Sequence, residues 1–79
     1  MDEEAIIEAV YQAAIDHIYS VVPAKRVEDL DVSVCIEGQE ITIEVVLLTD
    51  RGEGIDQRTA DEAIRIASEK ADELMKRLD

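Results

Sequence analysis

Leu30-Asp31-Val32-Ser33-Val34-Cys35-Ile36-Glu37, then Gly38-Gln39, then Glu40-Ile41-Thr42-Ile43-Glu44-Val45-Val46-Leu47-Leu48, is the stretch that decides the fold. Apolar residues occupy every second position on both sides of the glycine, the period of a strand with one face turned to a core. Gly38-Gln39 suits a two-residue type II′ turn, because glycine takes positive φ at the first central position without steric cost. With Glu37 opposite Glu40, the pairs become Ile36–Ile41, Val34–Ile43, Val32–Val45 and Leu30–Leu47, all on one side. A slip by one residue would turn one comb towards water, so turn and pattern support the same register.

Outward from the hairpin, residues from about Asp2 to Val22 read as a helix. Ile7, Val10, Ala14, Ile18 and Val21 recur at spacings of three and four, with Ile6, Ala13 and His17 flanking the stripe. Asp2, Glu3 and Glu4 lie where the helix dipole favours negative charge. Pro23 ends the helix, since the residue before a proline is pushed out of the α region. A connection from Pro23 to Glu28 leads into the first strand, and Thr49 to Gly54 reads as a loop. In the closing helix, Ala60, Ala63, Ile64, Ala67, Ala71, Leu74, Met75 and Leu78 form one stripe. Thr59 and Glu62 have the spacing of a capping box at its start, with Asp56 as a cap for an earlier turn. Asp61–Arg65, Asp72–Lys76 and Glu73–Arg77 are acid-before-base pairs at i, i+4.

The expected architecture is therefore α+β: one domain over residues 1–79, helix–hairpin–helix, with both helices on one face of an antiparallel sheet. Two strands alone make a marginal sheet, and its outer face is polar near the turn and apolar at the far end. Such a sheet predicts a homodimer, formed by edge pairing into four strands or by contact through Cys35, Thr42, Val46 and Leu48 on the outer face.

Composition narrows the function. Twenty acidic residues against eight basic ones give a formal net charge of −12. That balance argues against nucleic acid and anionic membranes as partners and favours a basic protein surface. The lone Cys35 allows no internal disulfide, and together with an acidic N-terminus it points to a reducing cytoplasmic setting. No apolar run approaches a membrane span.

Candidates for chemistry are few. His17, the single histidine, reads as a residue covering the core edge, because Asp16 points elsewhere on the helix and no other base partner is visible. Cys35 reads as a small residue of the outer sheet face beside Ser33, Glu37 and the cross-strand Thr42, with no neighbouring cation to activate its thiol. Asp50, Glu53 and Asp56 place carboxylates three apart in a Gly-containing loop, yet match neither an EF-hand nor a phosphate cradle. No cofactor is implied. The reading is a small acidic non-catalytic adaptor or scaffold. Its alternative is a cation or small-ligand module built on the loop from residue 49 to 56.

The acidic, aliphatic first helix, Val27-Glu28-Asp29-Leu30-Asp31-Val32-Ser33-Val34, Ile41-Thr42-Ile43-Glu44-Val45, and the Ala-rich helix from Thr59 to Leu78 together resemble a family of short archaeal α-β-β-α proteins of unknown function. That resemblance spans nearly the whole chain. It implies the same two-layer fold and an archaeal, cytoplasmic setting, and it brings no catalytic or binding residues with it.

Overall fold

The computed structural model describes residues 2–78, except that the Leu78 side chain, the last position of the expected stripe, lies outside the described residues. The order is helix α1 (Glu3–Val21), a 3₁₀ turn (Ala24–Arg26), strands β1 (Val27–Glu37) and β2 (Glu40–Thr49), helix α2 (Glu53–Met75) and a closing 3₁₀ turn (Lys76–Leu78). Both helices pack on one face of the two-stranded antiparallel sheet, as the combs require. Among the described residues no helix is long and apolar enough to cross a membrane.

The hairpin has the expected register throughout, from Glu37 opposite Glu40 to Leu30 opposite Leu47. Gly38 has φ +61°, and among the described residues none other than glycine has positive φ, so Gln39 is excluded from the type I′ geometry and the type II′ turn stands. Beyond Leu30 the strand continues three residues further than the comb suggests. The register shifts between Val27 and Asp29, which brings Val27 opposite Thr49. This bulge restores an apolar residue to the inner face where an uninterrupted pairing would have put Glu28.

Helix α1 starts where its acids imply. Asp2 caps it, accepting from the Ala5 N–H at 2.8 Å, and Val22 ends it in an extended conformation before Pro23. Its stripe is rotated from the expected axis. Ile6, Val10, Ala14, Ile18 and Val22 are buried, while Ile7 is half-buried and Val21 exposed. The apolar arc of α1 is wider than the face it buries, and the position of α2 selects which part is covered.

Helix α2 lays Ala60, Ala63, Ala67, Ala71 and Leu74 into the core, with Ile64 and Met75 half-buried beside them. Four alanines let the helix backbone come close to α1, whose isoleucines and valines supply the bulk. This helix begins at Glu53, six residues before the capping box expected at Thr59. Its N-cap is Gly52, at φ 104° and ψ 152°, a conformation open essentially only to glycine. Of the expected ion pairs, Glu73–Arg77 forms, at 3.5 Å, whereas Arg65 turns to Glu69 at 3.0 Å and Asp61 accepts from Gln57 instead.

Gly52 and Gly54 give opposite expectations, although a Cβ at either would meet nothing within 4 Å. Gly52→Ala should cost about 1–3 kcal/mol through its backbone alone. Gly54→Ala, inside the helix, should stabilise by roughly 0.5–1 kcal/mol. Urea titration of both variants measures this; equal effects would mean that the Gly52 conformation carries no strain.

Candidate functional site

The joint between β2 and α2 is the most polar buried part of the chain. Thr49, Asp56 and Thr59 are each no more than 5% exposed. One oxygen of Asp56, Oδ2, accepts from the Thr49 backbone N–H at 2.7 Å; the other, Oδ1, accepts from the Thr49 hydroxyl at 2.6 Å and from the Arg51 guanidinium at 3.2 Å. Arg51 also donates to the hydroxyls of Thr49 at 3.3 Å and Thr59 at 3.1 Å, and its own N–H donates to Thr49 Oγ1 at 3.1 Å. Among the described residues no buried side-chain polar atom lacks a partner.

Asp56 therefore stands inside the helix, not at its cap, and Thr59 holds an arginine, not a helix terminus. The sequence offered no local pattern for this set, because its members sit at offsets of two, seven and ten residues from Thr49. The Thr49 hydroxyl, then its backbone N–H and Arg51, hold the Asp56 carboxyl below its ordinary value of 3.8, outweighing burial, which pushes the other way.

The acidic loop is thus short and largely engaged. Only residues 50 to 52 lie between β2 and α2. The Asp50 carboxylate meets the Arg26 guanidinium at 3.1 Å on the surface, Glu53 is exposed in the first helical turn, and Asp56 is buried in its network. These three carboxylates do not converge, and among the described residues no group of three or more His, Cys, Asp or Glu is arranged to hold a metal ion.

His17 lies where the helices meet. Its Nε2 is 3.4 Å from Glu62 Oε2 on α2, an inter-helix partner that the sequence did not reveal. The nearby Ser20 hydroxyl donates to the His17 carbonyl at 2.6 Å, so it is spent on the backbone. Cys35 is exposed on the outer sheet face, opposite Thr42, with the sheet between it and His17. Val46 and Leu48, 56% and 51% exposed, lie on that same face, opposite Asp31 and Asp29. A shallow groove along α1, lined by Ala5, Glu8, Ala9, Tyr11 and Gln12, holds one carboxylate and no convergent polar set.

Comparison with known proteins bears out the resemblance seen in the sequence. A family model described as "Protein of unknown function (DUF3194)" matches residues 1–74. An uncharacterized protein of the archaeon Methanocella arvoryzae is 63% identical over 79 residues, covering 100% of both chains. The solution structure of the hypothetical protein mth677 from Methanothermobacter thermautotrophicus aligns with a TM-score of 0.77 over 96% of this chain and 90% of that one. At 24% identity, that likeness is one of fold.

Acid titration tests the joint. Because the Asp56 pKa is lowered on folding, its contribution is complete above the unfolded value and is lost as pH falls through the folded one. Below about pH 4 the urea midpoint of the wild type should fall more steeply than that of Asp56→Asn, which has no carboxyl to protonate. Thr49→Val, lacking the hydroxyl donor, should fall between them. Parallel acid limbs in all three would mean that Asp56 titrates as an ordinary carboxyl.

Proposed function

The chain belongs to DUF3194, a family of proteins of unknown function, and from that premise we propose that it is a non-catalytic protein-interaction module, an adaptor or scaffold of the cytoplasm. In this reading it works as a homodimer whose hairpins join edge to edge. The observation that carries it is an incompletely covered sheet. On the inner comb Leu47 alone is buried; Leu30, Val32, Val34, Ile36, Ile41, Ile43 and Val45 are each only half-buried. Both strand edges of the two-stranded sheet are open to further pairing.

The dimensions support the same reading. An accessible surface of 5233 Å² compares with about 4,800 Å² for a compact monomer of this mass. The radius of gyration of 13.0 Å compares with about 11.6 Å. A rod of 43 × 18 × 15 Å leaves much of its core near the surface, and a second hairpin at a strand edge would widen the sheet beneath the helices. The non-catalytic part is supported by the placement of the candidate side chains: among the described residues the His17 ring meets the Glu62 carboxylate, and Cys35 has the sheet between it and that histidine.

Light scattering should report twice the 8.8 kDa of one chain at micromolar concentration. A mass of one chain that persists to millimolar concentration would overturn the homodimer.

A further inference from the structure

The outer face of the hairpin pairs an apolar end with carboxylates that take part in no ion pair among the described residues. Val46 and Leu48 are both more than half exposed, and across the sheet from them stand Asp31 and Asp29. Glu44 follows Val46 on the same face, opposite Ser33. Nearer the turn, Glu37 and Glu40 sit directly opposite each other, a like-charge pairing that destabilises a hairpin. Between Val27 and Thr49 there is no Lys, Arg or His. Among the described residues the ion pairs all involve other carboxylates, so none of these five has a cation.

This charge pattern selects the occupant. A second copy docked face to face would bring five carboxylates against five, and burial would remove the water and salt that screen them. A basic segment reverses that balance. Its cations would meet the carboxylates, and arginine in particular matches a carboxylate with two parallel hydrogen bonds. Its apolar side chains would cover Val46 and Leu48, which stand two residues apart, about 7 Å along the strand.

We propose that the outer face of the hairpin is the docking surface for an arginine- and lysine-rich protein segment, with Val46 and Leu48 as its apolar seat and Asp29, Asp31 and Glu44 as its charge partners. The proposal rests on the interaction-module reading and gives to a basic partner the face that the sequence alone assigns to a second copy.

The probe is a decapeptide of alternating Arg and Val, titrated into the full-length ¹⁵N-labelled protein. Amide shifts should concentrate in residues 27–49 at low salt, and affinity should drop at least roughly tenfold as the salt rises to about 0.3 M. Val46→Ser with Leu48→Ser should weaken binding several-fold, and Asp31→Lys with Glu44→Lys should abolish it. All four positions are exposed, and circular dichroism verifies that the variants remain folded. Glu8→Lys and Asp72→Lys, on the exposed surfaces of the two helices, should leave binding within about twofold of the wild type.

Shifts centred on the helices, an equal loss in the helix variants, or no saturable binding at low salt would each overturn the proposal. So would a doubled mass that returns to one chain in the Val46→Ser, Leu48→Ser variant, which assigns the face to a second copy; a doubled mass unchanged in that variant is the edge-paired dimer and leaves the face free. A one-chain mass with peptide binding intact overturns the homodimer and leaves the docking face standing. A peptide that settles on the helices overturns the face and leaves the module reading.

Discussion

A single buried carboxylate sets how the two layers meet. Asp56 ties the first turns of α2 to the last residue of β2 through both the hydroxyl and the backbone N–H of Thr49, and Arg51 closes the set over Thr59. Burial drives the alanine stripe of α2 onto the inner comb, and this joint ties the start of that stripe to the end of β2. The arrangement is satisfied at every buried side-chain polar atom among the described residues, the condition under which a buried polar cluster specifies a structure instead of weakening it. Gly52 serves the same joint, because its positive φ turns the chain from strand into helix within three residues.

The core beyond that joint is built from small aliphatic parts. Alanine on α2 meets isoleucine and valine on α1, and no aromatic ring is buried, since Tyr11 and Tyr19 are both exposed. Such a core packs closely but has little bulk, and in a chain of 79 residues it covers its sheet only in part. The inner comb keeps some contact with water along most of its length, while the outer-face side chains from Asp29 to Leu48 are exposed. Membership of a family of unknown function and a shared fold leave the activity to be argued from surfaces, because fold alone does not carry function. Those surfaces comprise open strand edges, the exposed apolar pair Val46 and Leu48, and outer-face carboxylates that take part in no ion pair among the described residues.

Legibility differed by element for physical reasons. The strand register was readable because side chains alternate strictly, so only one parity buries both combs. The axis of α1 was readable to within one position. Ile6 and Ile7, like Val21 and Val22, are neighbours on a wide apolar arc, and the choice within each pair belongs to the partner helix. The start of α2 was misplaced because Thr59 and Glu62 carry a local capping signal that a tertiary contact outweighs: Thr59 binds Arg51 in the folded protein. Likewise Glu62 is far from His17 in sequence and becomes its neighbour only when the helices pack.

By itself, then, the sequence determined the hairpin, its turn and register, the two amphipathic helices and the net acidic charge of the chain. These follow from periodicity and local backbone preference, which act over a few residues. Tertiary structure alone decided that Asp56 is a buried tie and not a cap or a loop ligand, that His17 meets Glu62, and that Asp50, Glu53 and Asp56 stand in three separate environments. Each of those depends on where a helix lands once its apolar stripe is buried, and no spacing along the chain encodes that position.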